Sequence, residues 1–138
     1  MIYSKPAYDF LGYKLLKVIF NRYNDEKLLR FSFKVTDQYY NEKDNVYSFC
    51  INTKLTFKEN EESSFIFLSA FHINDINWYK ELDEGFRDSL FFSVVFPFIR
   101  QKINEFCDDS REAIKIPIVN LKNTNLKKEV IFELLNIN

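Results

Sequence analysis

The sequence predicts an α+β domain in which a four-stranded antiparallel sheet is followed by two helices packed on one of its faces. Three observations carry that reading. Four apolar stretches alternate with period two, the apolar period lengthens to that of a helix after Leu82, and the stretches are joined by polar connections. The 138 residues show no break in composition, internal repeat or low-complexity tract, so residues 1–138 are read as one domain with one core.

The first strand holds Leu16, Val18 and Phe20 in one phase and Leu15 and Ile19 in the other, which suggests cover on both faces. In the second, Leu29, Phe31, Phe33 and Val35 alternate with Arg30, Ser32 and Lys34, the pattern of a half-buried strand. Tyr47, Phe49, Ile51, Leu55 and Phe57 continue that logic in the third. The fourth, Phe65 to Ile73, is apolar in both phases and is therefore central or part of a subunit interface. The connections at Asn24 to Lys27, Tyr39 to Asn45 and Lys58 to Ser63 are polar. With only two glycines in the chain, their tight positions fall to Asn and Asp, which tolerate left-handed backbone.

From Leu82 the spacing becomes helical. Asp83 can cap a helix on which Phe86, Leu90, Val94 and Phe98 lie four apart, joined by Phe91, Val95, Ile99, Ile103 and Phe106. Such a helix is apolar over more than one face. It is expected to pack on the sheet and, through Phe91, Val95 and Ile99, on a second subunit. Asp108-Asp109-Ser110 ends it, Ile114 to Leu121 reads as extended around Pro117, and Leu126, Val130, Leu134 and Ile137 read as a second helix widened by Ile131 and Leu135. Pro97 stands inside the first helix, where proline costs about 3 kcal/mol by removing a donor and crowding the carbonyl of Ser93.

Composition narrows the function classes. Aromatics make up 18% of the chain, with 16 Phe and 8 Tyr, more than one small core readily absorbs, and oligomerisation is a simple way to cover the rest. Lys plus Arg (19) nearly balances Asp plus Glu (20), with no basic stripe of the kind nucleic-acid proteins carry. The longest apolar run, Leu90 to Ile99, falls short of the roughly 20 residues of a membrane span. Residues Met1 to Phe10 lack the pattern of a signal peptide, so a cytoplasmic location is expected. Cys50 and Cys107 lie far apart with no Cys-x-x-Cys pair and read as reduced thiols rather than metal ligands.

Catalysis finds little support. His72 is the sole histidine and has no recognisable nucleophile or carboxylate arrangement beside it, and two glycines cannot build a phosphate loop. No cofactor or metal is expected. Glu59, Glu61 and Glu62 read as a solvated turn. The aromatic pairs Tyr39-Tyr40 and Trp78-Tyr79, near loops, combine broad apolar faces with polar edges and suit the capture of extended polypeptide; the plainer reading is that they cover the ends of the sheet.

One run resembles a known family. Phe96-Pro97-Phe98-Ile99-Arg100-Gln101-Lys102-Ile103 is similar to the Phe-Pro-aromatic-x-Arg-x-x-Ile segment of SecB export chaperones, and Val119-Asn120-Leu121 follows at a similar spacing. Asp44-Asn45-Val46-Tyr47 is similar to the segment that opens the family's third strand, and the likeness spans roughly Leu28 to Leu135. The resemblance implies an ATP-independent holdase, tetrameric as a dimer of dimers, that binds unfolded polypeptides in apolar grooves. Its partners would be client chains, with the SecA motor or an antitoxin as alternatives. Client contacts are then expected at Tyr39, Tyr40, Trp78, Tyr79, Ile131 and Leu135. The chain departs from the family in its short connection between the first two strands and in its nearly balanced charge. A homo-oligomeric interaction module without chaperone activity is the competing reading.

Overall fold

The computed structural model describes residues 5–21, 27–107, 116 and 124–134. Strands β1 (Tyr8–Ile19), β2 (Arg30–Asn41), β3 (Val46–Lys58) and β4 (Glu61–Ile73) are followed by helices α1 (Ile76–Glu81) and α2 (Glu84–Cys107) and by strand β5 (Val130–Glu133). The strands form one antiparallel sheet of five in the order β1-β4-β3-β2-β5, and the core lies between one face of it and the helices.

The sheet has five strands rather than the expected four, because the segment expected as a second helix contributes β5 instead. Leu126, Val130 and Leu134 are four apart, an even spacing that fits period two as well as a helix. Val130 and Phe132 turn toward the core, Phe132 stacks on Phe31 at 4.9 Å, and Ile131 and Glu133 turn outward. β-branched and aromatic residues suit a pleated surface, and the open edge of β2 at Arg30 to Phe33 supplies the hydrogen-bonding partner. Leu135 and Ile137 lie outside the described residues, as do most of Ile114 to Leu121.

β1 begins at Tyr8, seven residues before Leu15, the first residue expected in it, and is an edge strand rather than one covered on both faces. Its register slips between Phe10 and Gly12 and again between Leu15 and Lys17. Each bulge inserts a residue and reverses the alternation, so apolar residues occupy both phases without burial on both sides. Gly12 sits at φ +135°, a backbone region that residues with a Cβ rarely enter. β4 is central, between β1 and β3. The left-handed positions are taken by Asp37, Asn45 and Asn60, as the shortage of glycine requires.

Asp75 caps α1, a short helix absent from the sequence reading, by accepting from the Trp78 amide at 3.0 Å. Asp83 caps α2 through the Phe86 amide. α2 packs on the sheet through Phe91, Phe92, Val95, Phe96, Ile99 and Ile103. Phe91 meets Phe71 at 4.6 Å, and Phe33 lies 5.5 and 5.1 Å from Phe92 and Phe96. Phe91, Val95 and Ile99, expected in a subunit contact, are thus wholly buried inside one chain. The helix presents its other row outward, with Phe86 58% and Phe98 42% exposed. The helix runs on through Pro97, whose ring is exposed, and the neighbouring Ser93 hydroxyl donates to the Ser89 carbonyl at 2.6 Å. Arg100 donates to the Ile116 carbonyl while Asn104 accepts from the Ile116 amide at 3.1 Å, tying the helix to the chain that follows.

Candidate functional site

At the far end of β2 from β5, a bulge redirects the chain. Thr36 pairs with Cys50 and Tyr39 with Ser48, so Asp37 and Gln38 share the place of one residue, with Asp37 at φ 52°. Gln38 Nε2 donates to the Asp88 carboxylate at 2.6 Å and to the Tyr47 hydroxyl at 2.7 Å. Asp88, on α2, is only 3% exposed. Its carboxyl is raised above the ordinary aspartate range by burial, against the opposing pull of the Gln38 hydrogen bond and the Arg87 charge. Burial likewise pushes the Tyr47 and Tyr79 hydroxyls up.

Past the bulge, Tyr40 faces the helices and stacks on Tyr79 at 4.8 Å with the ring planes 24° apart. The Arg87 guanidinium lies 4.4 Å from the Tyr79 ring centroid, within cation–π range. Together these groups border a recess of about 170 Å³ between β2, α1 and α2, with Tyr39 62% exposed at its rim.

The structure brings Tyr39, Tyr40 and Tyr79 together and separates the rest of the expected set. Trp78 turns to the other side of α1 and stacks on Tyr8 of β1 at 5.8 Å. Ile131 lies opposite Ser32 on the sheet face away from the helices and is 54% exposed. Tyr39 shares that outer face, about 20 Å from Ile131 at the usual rise of 3.3 Å per strand residue, the bulge counting as one position. Between the two lie Lys34 and Thr36 of β2, opposite Asn52 and Cys50 of β3. Level with Ile131 and on its far side from Tyr39 the face is charged: Arg30 bridges Glu59 at 2.6 Å and Glu133 at 3.0 Å, Ser32 donates to Glu129 at 2.7 Å, and Lys54 pairs with Glu62 at 3.7 Å around a hollow of about 290 Å³. The hydrogen bond to Arg30 holds Glu59 below the usual carboxylate range.

Gln38, Tyr47, Glu84 and Arg87 line the recess, with Asp88 buried behind Gln38, and none of the five is in the expected set. The available signal is an acid at Asp88 inside the apolar first half of a helix, where only a buried polar partner makes it tolerable. His72 is hydrogen-bonded through Nδ1 to Asn74 Oδ1 at 2.7 Å. Among the described residues no three of His, Cys, Asp and Glu cluster in a way that could hold a metal, and no helix is long and apolar enough to cross a membrane.

A five-stranded antiparallel sheet covered on one face by a long helix is an α+β fold, and it is similar to that of a solved SecB-like chaperone. The Mycobacterium tuberculosis Rv1957 SecB-like chaperone, solved in complex with a ChAD peptide from the Rv1956 HigA1 antitoxin, matches over 83% of this chain and 88% of that one, with a TM-score of 0.61 and 12% identity. A protein of unknown function from Streptococcus agalactiae matches over 80% of this chain and 97% of that one, with a TM-score of 0.45 and 13% identity. No family model matches the chain, and no curated protein matches it in sequence.

Proposed function

We propose that this chain is an ATP-independent, SecB-like holdase that binds unfolded or extended polypeptide. The observation that carries the reading is the apolar surface left on a folded chain of this fold, at three places. Tyr39 and Ile131 stand exposed at the β2–β5 side of the sheet, Phe86, Phe98 and Phe106 stand exposed on α2, and Leu11, Leu16 and Ile19 stand exposed on the edge strand β1. Exposed apolar side chains that adjoin one another mark interaction sites rather than ordinary solvent contact. The first place serves clients: apolar anchors at Tyr39 and Ile131, with Tyr40 and Tyr79 behind the former, flank a polar stretch on which an extended segment of about six residues fits. The second place serves assembly, a dimer or dimer of dimers formed in the cytoplasm. No step of this activity asks for catalysis or a cofactor.

A client dedicated to one antitoxin is favoured over general export with SecA. The fold matches a chaperone solved with an antitoxin peptide. The outer face, moreover, carries paired charges of both signs rather than an acidic field that would recruit a motor.

The test is aggregation of an unrelated unfolded protein followed by light scattering. Wild-type protein at equimolar concentration is expected to suppress it, and Tyr39→Asp with Ile131→Asp, both at exposed positions, is expected to lose most of that effect while remaining folded. No suppression by the wild type would remove the holdase reading in favour of a homo-oligomeric interaction module. Full suppression by the double variant would move the client surface elsewhere.

A further inference from the structure

We propose that the tyrosine-walled recess between β2, α1 and α2 is a subsite for a carboxylate, carried by a client peptide as an acidic side chain or as its free C-terminus. This deepens the client-binding reading and rests on it for the source of the ligand.

The argument begins with Arg87. Its guanidinium is half-buried, and its Nε is buried with no hydrogen-bond partner. Its two other contacts are long, Nη1 to the Tyr79 hydroxyl at 3.5 Å and Nη2 to the Leu82 carbonyl at 3.3 Å. Among the described residues no carboxylate lies within 4.0 Å of it, whereas Arg30 has two and Lys54 and Lys127 have one each. A guanidinium with five donors and no anion, taken partly out of water, has unused capacity for a bidentate acceptor.

The neighbouring acids do not meet that capacity. Asp88 is the next residue, yet its carboxylate is turned to Gln38 and Tyr47. Glu84 at the rim is engaged by Lys127, which offsets its charge. The walls are tyrosine faces, which lower the local dielectric and strengthen attraction to an incoming anion. A recess of about 170 Å³ accepts one side chain or one chain end, and comparable cavities hold a benzene ring. The recess opens beside Tyr39, so its occupant would be continuous with a segment lying on the outer face.

The experiment titrates the intact protein with three short peptides of one sequence: a free C-terminal carboxylate, a C-terminal carboxamide, and the carboxamide with one internal Gln replaced by Glu. Calorimetry gives affinity, and the Arg87 Nε–H resonance reports the site directly without any variant. At low salt the carboxylate peptides are expected to bind about tenfold tighter than the plain carboxamide, to shift that resonance, and to lose the advantage in Arg87→Gln. A preference confined to the first peptide assigns the site to chain termini, and one shared with the third assigns it to carboxylates in general. Equal affinity for all three, an unmoved Arg87 resonance, or a preference that survives Arg87→Gln would overturn the proposal. Suppressed aggregation without a carboxylate preference would remove the subsite alone; a preference without suppression would remove the holdase reading and leave a carboxylate site.

Discussion

A carboxyl that has lost its water but kept its hydrogen-bond donors is poised between protonation states, and Asp88 is such a group. Burial raises it, and Gln38, Arg87 and Tyr47 pull it back down. The net direction is upward, so the folded chain holds this proton more tightly than the unfolded chain does. Stability then falls as pH rises from the ordinary aspartate range, near 3.8, through the raised value. Asp88→Asn keeps an acceptor for Gln38 and removes the ionisation. Its melting temperature is expected to match the wild type below the ordinary aspartate range and to exceed it by a constant margin once pH has passed the raised value, read by thermal unfolding at a series of pH values. A wild type that instead gains on the variant as pH rises would show that the hydrogen bonds outweigh desolvation. The sequence marked the position, an acid among apolar neighbours, but not the partner, because Gln38 reaches it only through a bulge fifty residues away.

Among the elements, β3 and α2 were legible because one period ran along most of each. β2 was legible only as far as Val35, since the bulge at Asp37 and Gln38 hid its last residues in an expected connection, and β4, apolar in both phases, was legible as a central or interface strand. β5 was not, since Leu126, Val130 and Leu134 satisfy two periods at once and only the open edge of β2 decides between them. β1 was legible in part, its bulges mixing the phases. α1 escaped because six residues are too few to display a helical period. Which row of α2 faces the sheet was also hidden: both rows are apolar, and the larger set at Phe91, Phe92, Val95, Phe96 and Ile99 took the core. Pro97 sits on the exposed side of that helix, so its cost is local rather than a packing requirement. Pro97→Ala restores the donor to the Ser93 carbonyl and is expected to stabilise the fold, by at most about 3 kcal/mol, without affecting aggregation suppression. Denaturant unfolding with an unchanged slope and a higher midpoint is the expected result; a lower midpoint would show that the ring fits a neighbour.

At the scale of the whole molecule the question is what covers the outward row of α2. Phe86, Leu90, Val94 and Phe98 form a stripe about 18 Å long at 1.5 Å per helical residue, beside the β1 edge. That edge is a poor place for open-ended strand pairing, because two bulges twist it and Lys14 and Lys17 lie along it. Helix against helix about a two-fold axis remains the arrangement that buries the stripe, and a net charge of −1 sets little repulsion against it. Phe98 also packs on Phe10 at 5.3 Å and Tyr13 at 5.8 Å, so changing it disturbs the chain as well as the contact. Phe86 has no ring contact among the described residues and is the cleaner probe. Wild-type protein at micromolar concentration is expected to scatter light as a dimer or tetramer, and Phe86→Asp to shift it toward monomer with little change in melting temperature of the monomeric unit. A stable wild-type monomer would leave the stripe uncovered and give it to clients as well.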